Sequence, residues 1–133
     1  MSQQLRFVTE AESRSDDVPW GVNEWLCNGD LCEAEKLGLV RVHVPPGKGH
    51  SFHRHPSLEE IIYVVEGECE QWVGEERRML SAGGMAHIPV NMVHASFNTS
   101  DKPLVLLAIL SPAKGPEPMT VDVYDEEPWK SLR

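Results

Sequence analysis

From Leu39 to Ser111 the chain is a series of short apolar-rich stretches broken by glycine, proline and asparagine. LVRVHV (39–44) alternates, which puts Val40, Val42 and Val44 on one face of a strand and Arg41 and His43 on the other, since successive strand side chains point to opposite faces. PPGKG (45–49) breaks the pattern, and Ser51–His55 reads as a short extended segment ended by Pro56. Strands are predicted over Ile61–Glu66 and Cys69–Val73, with Gly67 as a bend and Gly74-Glu75 as a hairpin turn. Arg77–Leu80, Met85–Ile88, His94–Asn98 and Leu104–Ser111 complete the series. No long helical periodicity interrupts it. Closely spaced short strands with turn residues between them predict an all-β sandwich or barrel. Closing the sheet removes exposed edges, and the mouth of a small barrel is a natural binding site.

The flanks read differently. Residues 1–38 mix a polar stretch (13–17) with VPWGVNEWLCNGD, which carries Trp20 and Trp25 and ends in an Asn28-Gly29-Asp30 turn. Cys32–Leu37 is expected to form one short helical turn, and the whole stretch to act as an arm lying on the barrel or on a partner subunit. The barrel is expected over 39–112. The tail, 113–133, is rich in proline and acid and is expected to run over the surface with Trp129 as an anchor.

At 133 residues the chain suits a single domain with one core. Its formal net charge of −9 disfavours nucleic acid as a partner, because phosphate contacts need a basic face. The longest apolar run, LVLLAIL (104–110), is too short for a membrane helix. The first seventeen residues show no apolar leader segment, so a cytoplasmic location is expected. Three cysteines, an odd number, fit free thiols in a reducing compartment. Cys27 and Cys32 resemble half a zinc site, but no second Cys/His pair of suitable spacing follows; small half-buried residues are the expected reading.

The candidate chemistry is concentrated in HSFHRHPSLEE (50–60). His53 and His55 share a strand face, and Arg54 points the opposite way, which argues against an anion clamp there. Glu60 shares parity with Ile62 and Val64 and faces inward if they do. His94 opens a later strand, with Ser96 and Asn98 on its face. Three imidazoles and one carboxylate from three segments can therefore converge on one ion, and such a set suits manganese, iron, nickel or zinc. Four protein ligands on an octahedral ion leave two positions for water or substrate, whereas a tetrahedral zinc would be filled. The competing reading is that lone strand histidines are hydrogen-bonded residues of core or surface. That is the expectation for His43, while His50 is expected to be a solvated loop or rim residue and His87 falls outside the pattern. Glu59 is read as a solvated neighbour of Glu60. Ile62, Val64, Met92, Ser96 and Trp72 are the candidate pocket residues, with Tyr63, Trp20 and Trp25 as further candidate walls.

Two longer motifs carry a family resemblance. Gly47, His53, His55, Glu60 and Gly67 follow the pattern G-x5-H-x-H-x4-E-x6-G, and Gly83, Pro89, His94 and Asn98 follow G-x5-P-x-G-x2-H-x3-N. In this order and fifteen residues apart (68–82), they resemble the two motifs of the cupin family. Asn91 stands where the second motif has glycine; asparagine tolerates positive φ, so the turn is expected to persist. The resemblance implies a small single-domain cupin, a jelly-roll barrel of double-stranded β-helix type. It also implies one divalent metal ion held by His53, His55, Glu60 and His94, and often a homodimer. The pattern is similar to that of manganese oxalate-metabolising cupins and flavonol-cleaving dioxygenases. It implies an oxygenase, decarboxylase or isomerase acting on a small organic molecule. The alternative is a non-catalytic cupin that binds a small molecule such as a sugar acid, its metal anchoring the ligand or serving structure alone.

Overall fold

The computed structural model describes residues 4–133; residues 1–3 of the expected arm lie outside them. Eleven strands and one short helix follow a 3-10 turn at Glu10–Glu12. The strands are β1 (Arg14–Val18), β2 (Gly21–Cys27), β3 (Gly38–Val44), β4 (Gly49–Arg54), β5 (Glu59–Glu66) and β6 (Glu68–Val73). They continue as β7 (Glu76–Ser81), β8 (Met85–Ile88), β9 (His94–Phe97), β10 (Leu104–Ser111) and β11 (Val121–Asp122), and α1 spans Trp129–Leu132. A six-stranded sheet runs β1-β2-β3-β10-β5-β8 and a five-stranded sheet runs β11-β4-β9-β6-β7. Every pairing is antiparallel. The two sheets form the faces of a double-stranded β-helix barrel, as the strand pattern and the two motifs had implied.

Strand parity builds the interior. Val40 and Val44 from β3, Ile62 and Val64 from β5, and Leu104, Leu106 and Ala108 from β10 pack into one buried cluster between the sheets. The five-stranded sheet is also covered on its outer face. Phe52, Trp72, Ala95 and Phe97 form a second cluster there with Val123, against which Trp129 and Leu132 pack. The tail is therefore a strap. Val121 and Asp122 pair with Arg54 and His53, Arg133 donates to Glu70 at 2.8 Å, and its guanidinium lies 3.7 Å from the centre of the Phe97 ring.

The stretch expected as an arm contains a hairpin, β1–β2, whose second strand pairs with β3 and extends the larger sheet. No helical turn forms over Cys32–Leu37, which consists of bends. The side chain of Asn28 accepts from the amides of Asp30 and Leu31 and pins a tight turn that buries Leu31. Those contacts outweigh the weak helix preference of a six-residue stretch. Gly67 ends β5 at φ 86, where a Cβ would strike the carbonyl of Pro103. Asn91 occupies the turn before β9 at φ 67, and its side chain accepts from Arg54 at 2.8 Å. Asn98, 1 % exposed, donates to the carbonyls of Val44 and Lys102 and so closes one end of the barrel.

Candidate metal centre

The barrel opens on a cavity of about 440 Å³, within the roughly 300–1,000 Å³ usual for small-molecule sites. His53 comes from β4, His55 from the residue beyond it, Glu60 from the start of β5 and His94 from the start of β9; all four line the cavity. One ring nitrogen from each of the three histidines lies within 4.8 Å of the others. Ring centres are 4.1 Å apart for His53 and His94, and 5.1 Å apart for His55 and His94.

Each of these imidazoles is held from behind by a backbone carbonyl. Nδ1 of His53 lies 2.7 Å from the carbonyl of Ser51, Nδ1 of His55 2.9 Å from that of Met119, and Nδ1 of His94 3.0 Å from that of Met92. A carbonyl can only accept, so each Nδ1 carries the proton and Nε2 is the atom available to the cavity. This is the tautomer and orientation that metal-ligating histidines use.

The front of the site is short of protons. Glu60 Oε1 is 3.0 Å from His94 Nε2, yet both atoms are buried and neither has a hydrogen-bond partner. With Nδ1 of His94 spent on the Met92 carbonyl, a neutral ring would turn a lone pair to the carboxylate at contact distance, and a proton or a shared cation between the two atoms is what makes that arrangement tolerable in a buried site. His55 Nε2 is 3.3 Å from the same oxygen. Burial works to raise the Glu60 carboxyl, but the neighbouring His55 and His94 imidazoles outweigh it and hold the group below the usual carboxylate range. Burial alone would lower His55; the Glu60 carboxylate overcomes it and raises the imidazole. Burial, helped by the nearby His94, pushes His53 well below its ordinary value and keeps it neutral. Once any proton at Nε2 is displaced, three imidazole nitrogens and one carboxylate match a borderline divalent ion such as manganese, iron, nickel or zinc.

Among the other expected pocket residues, Ile62 and Ser96 line the cavity. Val64, Met92 and Trp72 do not. Val64 is completely buried and fills the barrel below the cavity. Met92 turns its side chain outward, 39 % exposed, and contributes only its carbonyl. In β6 the inward positions belong to Cys69, Gln71 and Val73, so parity sends Trp72 to the outer face, where its indole donates to Glu70 at 2.7 Å. Trp20 and Trp25 line the cavity, whereas Tyr63 faces outward. Arg54 is directed outward to Asn91, in line with its parity.

His50 is not a solvated loop residue. It belongs to β4, lines the cavity and stacks between Trp20 (3.6 Å) and His53 (3.5 Å). Burial, reinforced by His94, pushes it down to about 3, so the stack is uncharged. The pairing of β4 with β9 shifts register between His50 and His53. That irregularity brings two residues an odd number apart onto one face. Asn23 and the tail residues Met119, Thr120 and Asp122 also line the cavity. Pattern reading missed them because they come from the hairpin and the strap, outside the motif-bearing segments.

Known proteins place this architecture. A family model described as a cupin domain matches residues 40–110. "Polyketide synthase CurC" of Streptomyces cyaneus is 37% identical over 83 residues, covering 62% of this chain and 53% of its own length. The oxalate decarboxylase OxdC of Bacillus subtilis is 31% identical over 81 residues, covering 57% of this chain and 21% of its own length. The matched region thus spans about half of the first relative and a fifth of the second. Among solved structures, KdgF from Halomonas sp. superposes with a TM-score of 0.73 at 23% identity, over 84% of this chain and 96% of that one. That last likeness is one of fold.

Proposed function

This chain belongs to the cupin domain family, and on that footing we propose that it is a metal-dependent enzyme acting on a small organic molecule inside the barrel. The reaction class is oxygenase, decarboxylase or isomerase. One observation supports the reading most: three imidazoles tethered through Nδ1 present ring nitrogens within 4.8 Å of one another, and two of them, His55 and His94, lie 3.3 and 3.0 Å from the buried Oε1 of Glu60. A divalent ion held by His53, His55, Glu60 and His94 keeps a net charge near +1 and supplies Lewis acidity toward a substrate oxygen. The chain's own groups do the rest. The carbonyls of Ser51, Met92 and Met119 fix the ring orientations, the Trp20–His50 stack buttresses His53, and the apolar walls exclude water. The Mn(II) centres of the Bacillus subtilis oxalate decarboxylase make manganese the first ion to test, with iron next.

The test is elemental analysis of purified protein, followed by turnover of oxo-acids and catechol-like compounds by manganese- and iron-loaded protein, with and without oxygen. About one equivalent of metal and metal-dependent product are expected. Absence of turnover with both ions would leave the second reading, a non-catalytic binding cupin. One feature favours that reading: apart from the proposed ligands, His50 and Asp122, the cavity wall offers no acid or base among the described residues.

We also propose a homodimer. The outer face of the larger sheet carries Tyr63, Val65 and Met85 exposed, with Val105, Leu107 and Ile109 half-buried beside them. A contiguous apolar face of this kind suits a second copy. A monomeric mass by light scattering would end that reading.

A further inference from the structure

The proposed metal centre occupies one end of the cavity; the rest of the wall carries information about what enters. Trp20, Trp25, Val40, Val42, Leu106 and Leu110 make that wall largely apolar. No lysine or arginine lines it among the described residues, and Asp122 adds a negative charge at the exposed mouth. The whole chain is acidic as well, at −9, so its field repels anions on approach. A polyanion or sugar acid would bring several charges and hydroxyls into a site with no cation beyond the metal and few polar partners.

Most polar side chains in the wall are already engaged. Ser96 donates to Gln71 at 2.6 Å, and Thr120 lies against His55 Nδ1 at 3.2 Å. Asn23 is different. Strand parity in β2 turns Asn23 and Trp25 to the cavity, while Glu24 points away to Ser13, Arg41 and His43. The Oδ1 atom of Asn23 is buried and has no hydrogen-bond partner. A buried amide oxygen without a donor is costly, and rotation of the Asn23 amide would present it to a donor group on a ligand in the cavity that Asn23 lines.

We propose that the cavity selects a molecule with one metal-binding oxygen head and an uncharged, mainly apolar body that lies against Trp20 and Trp25 and offers one neutral hydrogen-bonding group to Asn23. This deepens the enzyme reading and rests on it for the head alone. Asn23 is then a specificity-determining residue contributed by the hairpin.

The experiment has two arms on the full chain. In the first, manganese-loaded protein is titrated with acetohydroxamate and benzohydroxamate, which share a metal-binding head and differ in apolar body. Burying the ring is expected to tighten binding by about tenfold or more; equal affinities overturn the proposal. In the second, metal-free protein is titrated with acetophenone and with galacturonate while the four tryptophan indole N–H signals are followed by NMR. Acetophenone is expected to move the signals of Trp20 and Trp25 and leave Trp72 and Trp129, which lie outside the cavity, in place. No movement, equal movement of all four, or a stronger response to galacturonate overturns the proposal. If manganese is not retained but acetophenone still moves Trp20 and Trp25, the metal reading fails and the apolar site stands. Asn23→Leu serves as a further check: removing an unpaired amide is expected to raise the melting temperature of the metal-free protein, and a fall would show that Asn23 is already partnered and has no free group to offer.

Discussion

Five of the six histidines fall into two populations that differ in what holds the ring, and the sixth, His50, is held by stacking between Trp20 and His53. Inside the barrel, His53, His55 and His94 each give Nδ1 to a backbone carbonyl and turn Nε2 to the cavity. On the outer surface, His43 and His87 instead spend Nε2 on a carboxylate: Glu24 at 2.9 Å and Glu59 at 2.6 Å. A carbonyl tether fixes each inner ring so that Nε2 turns to a buried cavity shared with Glu60, where a cation can sit among them; each outer ring gives Nε2 to a carboxylate of its own, and neither belongs to a cluster of three possible ligands among the described residues. Residue type is the same in both regions, and the partner decides the chemistry.

The comparison breaks most sharply at His94. His94→Ala removes a tethered donor from the centre, and the metal content of purified protein is expected to fall from about one equivalent to near zero. Loss of an outer partner of a ligand typically costs about 10–100-fold in affinity, and loss of the ligand itself costs more. The far-ultraviolet circular dichroism is expected to remain that of a β protein, since the cavity end of β9 and not its pairing is altered. Unchanged metal content would remove His94 from the centre.

Next comes the metal itself. An ion that binds only the folded chain stabilises it by about 2.7 kcal/mol at a hundred times its dissociation constant, on the order of 10 °C in melting temperature at this chain length. Stripping with a chelator is expected to lower the wild-type melting temperature by that order and to leave His94→Ala unmoved. An equal drop in both proteins would place the bound ion elsewhere.

The two populations were unequally legible in the sequence. The alternation of LVRVHV in β3 and the apolar runs of β5 and β10 between turn residues make the barrel readable, since a period of two survives wherever one face is buried and the other is not, while the inner set is legible from the two-residue spacing of His53 and His55 together with the resemblance to the two cupin motifs. The five-stranded sheet loses that signal. Its central strands β6 and β9 are buried on both faces, one by the core and one by the tail, so Trp72 could not be assigned to a face from its hydrophobicity. His50 reads as a loop or rim residue because it follows the PPGKG break, whereas β4 already starts at Gly49 and the register shift before His53 turns His50 to the cavity. Met92 and Met119 act through their carbonyls, which no side-chain pattern records, and Met119 reaches His55 across 64 residues. The outer partners Glu24 and Glu59 are long-range too, joined to their histidines only by strand pairing.

On the outer surface the larger effect belongs to Glu24, which is buried and gathers Ser13, Arg41 and His43. The hydrogen bond from His43, aided by Ser13 and Arg41 against the opposing pull of burial, holds its carboxyl below the ordinary value of 4.5. A depressed carboxyl contributes stability above its unfolded-state value and loses it as pH falls through the lower folded value. Glu24→Gln is therefore expected to cost about 1 kcal/mol near neutrality. The gap to wild type should stay constant down to about pH 5 and close below 4.5. Metal content should not change. A gap that widened in acid would reverse the sign of the linkage and take the charge on Glu24 out of the account.

The smallest effect is the most discriminating. His87 and Glu59 make the shortest of the histidine–carboxylate contacts, 2.6 Å, but their side chains are 50% and 53% exposed. Water screens both groups, and exposed pairs of this kind are worth about 0–1 kcal/mol. His87→Gln is expected to leave the melting temperature within about 1–2 °C of wild type and the metal stoichiometry untouched. Distance alone would rank this pair above the 3.0 Å approach of Glu60 to His94; burial and the direction of the tether rank it below. If His87→Gln were to lower metal content as His94→Ala does, the ring's partner would not be what separates the two populations.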